Sequence, residues 1–532
     1  MPAAEPTPVE PEPPVPQPPV PAPAPTSIDF TPCTEPFTGD CAKVQLPLDR
    51  NAPDGKKLDV FVTRFTNPAN ARGSLWLLQG GPGGSIAAFE HSLEAYRALY
   101  PDLVIYGMEH RGVGRSSRLD CNLNAPERCV RELKDELGAD LDFYSTTAAA
   151  HDLHLLVGLT RKGTEPTFVY GVSYGTYIAQ RYLTMFPTEP SGVVLDSVVP
   201  MQGLYFSRSD EEGAAPMKYW AELCDADAFC SSKLGTPAWT KVQSALEKIG
   251  QGHCPASGLT KEYATVLRAL LPYNELAWTI LPVLNRFDRC TDADAVFVQA
   301  FLERVISFMG GGQGGGGGDS QTVRRDRDDE DMNDALYFNI AFSELWETPA
   351  PSQTILQQRF QDALLPSGGI DQLGQLQAIW PTYAHDEYVG VYPTTTVPVL
   401  TLNGTLDSQT PLDLVKVVDD FYKQPNQTFV TVKNANHGVA ISYDGEPIPC
   451  GSTIMQGFVA DPTRPLATAC LATPDPISLQ GEAQLNEAYL GTADVWEGTI
   501  GDAQPYRVLS AATLKAIEKI EIRRRTLAHS MR

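Results

Sequence analysis

The stretch "TFVYGVSYGTYIAQRYLTMFP", residues 167 to 187, constrains the fold more than any other part of this chain. "TFVY" is a short run of β-branched and aromatic residues and reads as a buried strand. "YIAQRYLTMF" has helical apolar spacing and good helix formers. Between them lies Gly-Val-Ser-Tyr-Gly, residues 171 to 175. A chain that turns from strand to helix in so few residues must bend sharply, and glycines remove the Cβ atoms that would clash there. A serine on that bend carries its hydroxyl to the helix N-terminus, where backbone N–H groups and the dipole favour developing negative charge. G-x-S-x-G recurs by chance in long chains; the strand–turn–helix context is what makes Ser173 a candidate nucleophile.

The surrounding sequence repeats the same alternation. "KKLDVFVTRF", "GSLWLLQGGPGGS" and "PDLVIYGMEHRGVGRSS" read as strands, the last two ending in polar or glycine-rich loops. "TTAAAHDLHLLVGLT" has helical spacing, and "PSGVVLDSVVP" is a short apolar strand. "VPVLTLNGTLDSQTP" (397 to 411) and "TFVTVKNANHGVA" (428 to 440) resume the pattern late in the chain. This order predicts an α/β fold with a mostly parallel sheet and helices on both faces. At 532 residues the chain has room for two or three domain-sized units, or one large domain with an insertion. The expected division is a proline-rich disordered tail at 1–27, the first part of the sheet core at 28–202, a largely helical insertion at 203–388, and the rest of the core at 389–532. Twelve of the first 25 residues are proline, which favours extended polyproline II and builds no core. The run "GGGQGGGGGDS", 310 to 320, is expected to be a flexible loop, with a charged run from Arg324 to Asp331 after it. No internal repeat is present.

A net charge of −24 argues against nucleic acid or an anionic membrane as partner. No apolar run is long enough to span a membrane. The start lacks a basic region and an apolar core, so an exported protein with this sequence is expected to be a mature or trimmed chain. Ten cysteines are present: Cys33, Cys41, Cys121, Cys129, Cys224, Cys230, Cys254, Cys290, Cys450 and Cys470. None forms a C-x-x-C pair and none clusters with histidines at zinc spacing. Their even number and their order point to disulfides between local partners in an oxidising compartment, secreted, periplasmic or at the cell surface. Spacing does not fix the connectivity.

A serine hydroxyl needs a base. Of the eight histidines, His437 sits in a short polar turn, "NANHG", directly after an apolar strand. Asp407 lies just past the preceding strand and is the expected orienting carboxylate, with Asp196 as an alternative. The order Ser173, Asp407, His437 is that of an α/β-hydrolase, and all three residues would lie at carboxyl ends of strands. An oxyanion needs donors. Tyr174, directly after the nucleophile, supplies one backbone N–H; Gly81 in the loop "LLQGGPGGS" is chosen for the other, because Pro82 has none. His110 is read as a loop-shaping residue. His151 and His154 stand at i and i+3 on a helix, but no third ligand accompanies them; no metal or other cofactor is expected.

The segments "LQGGPGGS", "EHRGVGRSS", "GVSYGTYIAQRY", "LNGTLDSQTP" and "NANHG" resemble the proline iminopeptidase and tripeptidyl aminopeptidase group of α/β-hydrolases over roughly residues 40–210 and 335–475. The elbow "GVSYGT" is closer to the secreted tripeptidyl aminopeptidase branch, and Cys121 with Cys129, and Cys450 with Cys470, stand where that branch commonly has disulfides. The resemblance implies an exopeptidase acting on peptides with free N-termini, covered by a helical cap. Such a cap must hold an ammonium, which a carboxylate does by charge-assisted hydrogen bonding. "LYFNIAFSELWE" (336 to 347) resembles the pocket-facing segment, and nominates Glu344, with Glu347 in reserve. The chain departs from the family at Glu109, where aspartate is common, at Ser343, where cysteine is expected, and in its glycine-rich insert and proline-rich tail. An esterase or lipase-like hydrolase is the alternative activity, and a non-catalytic surface-binding protein the alternative class. No oligomeric state follows from these residues.

Overall fold

The computed structural model describes residues 26–123, 125–309 and 332–500. The prolines up to residue 25, the glycine run 310–320 and the charged run that follows it lie outside the described residues. Among the described residues nine strands form one sheet: β1 (Thr31–Pro32), β2 (Asp40–Pro47), β3 (Lys57–Arg64), β4 (Gly73–Leu78), β5 (Leu103–Met108), β6 (Thr167–Val172), β7 (Gly192–Asp196), β8 (Val399–Gly404) and β9 (Gln427–Val432). Their order is β1-β2-β3-β5-β4-β6-β7-β8-β9. The pairings β1–β2, β2–β3 and β3–β5 are antiparallel. The remaining five, from β5–β4 through to β8–β9, are parallel.

The central strands are continuous apolar runs because both faces of the sheet are covered. Along β4, Leu75 and Leu77 enter one core cluster while Trp76 and Leu78 enter the other. The first cluster holds Leu93, Tyr96 and Leu99 from the helix Leu93–Leu99, and Ile454, Met455 and Phe458 from the helix Cys450–Ala460. The second holds Leu153 and Leu156 of the helix Thr146–Thr160, and Tyr177, Ile178 and Tyr182 of the helix Tyr174–Met185.

Between β7 and β8 the described residues are largely helical, and their packing falls into two groups. Helices from Ala214–Ala226 to Asp292–Met309 build a core of their own around Trp220, Trp278, Leu281 and Phe301. The helices Asp334–Glu344 and Ile370–Ile379 instead place Leu336, Phe338, Ile340 and Ile370 in the cluster against the sheet. The described C-terminal stretch also crosses over: Leu479, Leu485, Val495 and Trp496 pack into the helical core, not the sheet core.

All ten cysteines are paired: Cys33–Cys41, Cys121–Cys129, Cys224–Cys230, Cys254–Cys290 and Cys450–Cys470. Each bond joins nearest neighbours along the chain. Among the described residues no helix is long and apolar enough to cross a membrane, and no group of three His, Cys, Asp or Glu could hold a metal ion.

Candidate active site

Ser173 lies between β6 and the helix Tyr174–Met185, with φ 56° and ψ −129°. A residue with a Cβ is strained at that φ, so the surroundings must hold it there. They do so by close packing that only glycine allows. A Cβ on Gly171 would lie 2.3 Å from the Gly175 carbonyl oxygen, and one on Gly175 would lie 2.2 Å from that of Leu78. The Ser173 N–H donates to the Asp196 carbonyl at 2.9 Å, pinning the bend to β7. The glycine loop after β4 passes directly over the serine, since a Cβ on Gly80 would be 2.7 Å from that of Ser173.

That loop is held from below by Glu109. Ser85 Oγ donates to one of its oxygens at 2.5 Å and the Arg115 N–H to the other at 2.7 Å. Burial pushes the Glu109 carboxyl up to about 7 against the pull of these donors. In the same "EHRGVGRSS" segment, Arg111 is buried and makes a bidentate pair with Asp152 at 2.6 and 2.8 Å. It also donates to the carbonyls of Leu48, Phe143 and Pro47. His110 lies beneath the elbow, with Nε2 3.3 Å from the Tyr174 hydroxyl. Burial lowers its imidazole to about 4, consistent with a packing role.

Asp407 sits three residues past β8 with its side chain fully buried. Its Oδ1 accepts from the N–H groups of Gln409 and Thr410, both at 2.9 Å, and Oδ2 accepts from Thr410 Oγ1 at 2.7 Å. Both oxygens stand 3.0 Å from His437 Nδ1. Among the described residues the imidazole bonds only through Nδ1, so Nε2 is the nitrogen left for a serine proton. Burial favours the neutral imidazole, but the charge and hydrogen bond of Asp407 outweigh it and hold the His437 pKa above its ordinary value. Burial likewise raises Asp407, and His437 with Thr410 more than offsets this, leaving it below the usual carboxylate range.

The histidine loop is tied to the elbow through β7. The Val439 and Ala440 N–H groups donate to the Asp196 carboxylate at 2.8 Å each, and Gly438 N–H donates to Ser197 Oγ at 2.8 Å. Asp196 therefore holds the loop backbone, while Asp407 takes the ring. Asn436 adds a tether to the helical segment, donating to the Leu271 carbonyl at 2.8 Å.

Ser173, Tyr174 and Gly81 line one cavity of about 440 Å³. Tyr174 begins its helix, so its N–H has no intrahelical acceptor. The loop after Asp407 contributes Ser408, Gln409 and Thr410 to the wall. Phe206, Tyr337, Phe338, Leu345, Ile370 and Leu373 form an apolar side, and Glu212 with Arg268 a charged one.

The nominated glutamates are not in this cavity. Glu344 is fully buried against Arg181 at 2.7 Å, accepts from the Tyr383 hydroxyl at 2.6 Å, and takes the Thr146 N–H at 3.3 Å. Glu347 pairs with Arg359 and accepts from Ser207 Oγ at 2.8 Å. Both carboxylates are consumed by protein partners, so the expectation of an open amine anchor at either is corrected. The segment "LYFNIAFSELWE" reaches the cavity through Tyr337, Phe338 and Leu345 instead. The carboxylate that lines it is Glu212, which nothing in "SRSDEEG" singled out. Burial raises its carboxyl to about 7, opposed by the charges of Arg268 and Arg208 and reinforced by Glu211. Thr410 was also missed, although Asp-x-x-Thr is the spacing of a local side-chain-capped turn.

Residues 74–223 match a family described as alpha/beta hydrolase fold, and residues 371–470 match a family described as TAP-like protein. The tripeptidyl aminopeptidase of Streptomyces coelicolor is 28% identical over 211 residues, covering 33% of this chain and 39% of that protein. Serine protease Hip1 of Mycobacterium tuberculosis H37Rv is 26% identical over 267 residues, covering 41% of this chain and 48% of that protein. The chain thus matches less than half the length of either relative. Among solved structures, a proline iminopeptidase from Mycobacterium smegmatis aligns at 12% identity over 74% of this chain and 91% of that one, with a TM-score of 0.32. With its sheet, its strained serine elbow and these two matches, the chain has the α/β-hydrolase fold and carries a TAP-like segment.

Proposed function

We propose that this chain is a serine peptidase that releases single residues or short peptides from free N-termini through an acyl-enzyme. Ser173 Oγ attacks the scissile carbonyl as His437 Nε2 takes its proton, and the N–H groups of Tyr174 and Gly81 receive the oxyanion. His437 then protonates the leaving amine, and water releases the acyl group. Asp407 keeps the imidazole in the tautomer that leaves Nε2 free. The observation that carries the reading is His437 Nδ1 held 3.0 Å from both oxygens of a buried carboxylate, on a loop anchored to the same strand end as the strained Ser173. The tripeptidyl aminopeptidase and serine protease relatives favour peptides as substrate. Glu212 is the carboxylate offered to the substrate ammonium. The helical segment acts as the cap that limits substrate length, and five disulfides suit a site of action outside the cytoplasm.

The apolar side of the cavity, with Phe206, Phe338 and Leu373, would also accept the acyl chain of an ester, which supports an esterase as second reading. One experiment separates them. Chromogenic p-nitroanilides of one, two and three residues, free and N-acetylated, are compared with p-nitrophenyl esters, with Ser173→Ala alongside. The peptidase reading expects cleavage of free-amine substrates only, and a loss of roughly 10⁴- to 10⁶-fold in Ser173→Ala. Equal cleavage of acetylated peptides removes the amine-recognition step; activity on esters alone favours the second reading.

A further inference from the structure

The charged side of the Ser173 cavity contains hydrogen-bond donors that the protein itself does not use. Arg268, the last residue of the helix Lys261–Arg268, is only 8% exposed and lines the cavity. Its Nη2 donates to the Ser408 carbonyl at 3.2 Å, while its Nη1 is buried with no hydrogen-bond partner. Ser408, 5% exposed, lines the same cavity, and its Oγ is also buried without a partner. The nearby carboxylates do not fill this gap. Asp210 accepts from Ser367 Oγ at 3.0 Å and the Gly368 N–H at 2.8 Å, and Glu212 and Asp210 act on Arg268 through their charge and not through a hydrogen bond. A buried guanidinium is tolerated when its donors meet acceptors, and an unused buried donor is costly. Arg268 and Ser408 both line the nucleophile's cavity, and each keeps one donor unused and closed off from solvent; a small rotation of either side chain would present that donor to a substrate oxygen.

We propose that Arg268 Nη1 and Ser408 Oγ form a substrate-reading subsite that binds an oxygen acceptor on the acyl part of the peptide. The chemistry is that of a main-chain carbonyl or a side-chain carboxylate. This rests on the serine-peptidase reading and adds a second contact to it. With Glu212 on the same wall, the cavity offers an anion to the ammonium and donors to an adjacent oxygen, which is the pattern of an N-terminal residue. The role is one of binding and specificity; the acyl-transfer chemistry stays with Ser173, Asp407 and His437.

Because Arg268 also touches the Asp407 loop through the Ser408 carbonyl, the test must separate binding from loop positioning. Arg268→Gln and Ser408→Ala are assayed in the full chain on free-amine tripeptide p-nitroanilides. Glu and isosteric Gln are exchanged at each of the three positions. p-Nitrophenyl acetate, whose acyl group is too short to carry a second acceptor, is the reference. The expected result is a loss of kcat/KM on peptides that exceeds the loss on the acetate by about 10- to 100-fold, carried mainly by KM, the range for a hydrogen bond to a charged group. If wild type prefers Glu to Gln at one position and Arg268→Gln erases that preference, the acceptor is a side-chain carboxylate. If all peptides lose equally, it is a main-chain carbonyl. An equal loss on acetate and peptides overturns the proposal, because Arg268 then acts only through the loop; so do peptide rates within about twofold of wild type in both variants. Failure of the parent reading looks different: wild type would cleave acetylated peptides as well as free ones, whatever the variants do.

Discussion

Replacing Asp407 by asparagine tests the assignment of the orienting carboxylate, because the change preserves shape and removes charge. The carboxylate accepts from two backbone N–H groups at 2.9 Å, the Thr410 hydroxyl at 2.7 Å and His437 Nδ1 at 3.0 Å. An asparagine carbonyl oxygen can keep the two backbone bonds, which turns its amide nitrogen toward Thr410 and the imidazole. Facing an NH₂ donor, His437 Nδ1 must become an acceptor and the ring proton moves to Nε2, the nitrogen that should take the serine's proton. A wrong tautomer of this kind lowers kcat by about 10⁴. The pH profile supplies an independent readout. In wild type the His437 pKa is raised, so the acid limb of kcat/KM is expected above 6.5. In Asp407→Asn burial becomes the largest influence on the ring, opposed by the charge of Asp196, and the limb moves downward. Stability changes with it. Asp407, lowered on folding, contributes stability above its unfolded value of about 3.9 that is lost as the pH falls through its folded value. His437, raised on folding, contributes below 6.5 and loses that contribution as the pH rises through its folded value. Thermal unfolding by circular dichroism across pH 3 to 9 should therefore show a flatter Tm profile in the variant. A variant within tenfold of wild-type kcat, with its acid limb unmoved, would refute the reasoning and return the role to another carboxylate.

Glu212→Gln is expected to raise KM for free-amine peptides by at least about tenfold with little effect on kcat, and 1/KM in wild type should peak between about 7, where Glu212 ionises, and about 8, where the α-amine loses its proton; steady-state kinetics across that range checks both. Gly175→Ala, whose methyl would sit 2.2 Å from the Leu78 carbonyl oxygen, should lose the folded elbow, while Gly158→Ala in the helix Thr146–Thr160, with open space around it, should gain up to about 1 kcal/mol by denaturant titration. Asp152→Ala leaves the buried Arg111 unpaired and should cost about 3–5 kcal/mol, read as a fall in Tm. Opening Cys254–Cys290, with a separation of 36 residues, should destabilise by about 4 kcal/mol against about 2 kcal/mol for Cys224–Cys230, with a separation of 6, when each pair is changed to alanine.

The parallel strands were legible because burial on both faces makes them short unbroken apolar runs, as in "LVIYGM" and "TFVYGV". β2 was not, because "DCAKVQLP" exposes Lys43 and Gln45 and pairs antiparallel near the sheet edge, where one face meets water. The elbow could be read because its glycines answer a local constraint: Gly171 and Gly175 have no room for a Cβ. Asp407 and His437 could be read because each follows a recognisable strand. Glu344 could not be judged from its own segment. Its role depends on Arg181, 163 positions earlier, which meets it only after the helices Tyr174–Met185 and Asp334–Glu344 have packed on the same core.

The same distinction separates the proposed reacting groups from the groups proposed to read the substrate. Ser173, Asp407 and His437 sit at the ends of strands that share hydrogen bonds, so the sheet register sets their mutual geometry. Glu212, Arg268 and the residues around Ile370 come from separate stretches of the helical segment and meet at the cavity through packing and side-chain bonds such as those of Asp210 with Ser367 and Gly368. A substitution on the cap side can therefore alter which peptide end is accepted while leaving the strand ends in place. Arg268 is one point where the two systems touch, because one nitrogen of its guanidinium holds the Ser408 carbonyl beside Asp407 while the other is buried without a partner and the residue lines the cavity. Occupancy of the proposed subsite should therefore be felt mainly in KM, with peptides that fill it favoured over esters too short to reach it, while kcat stays with the strand ends.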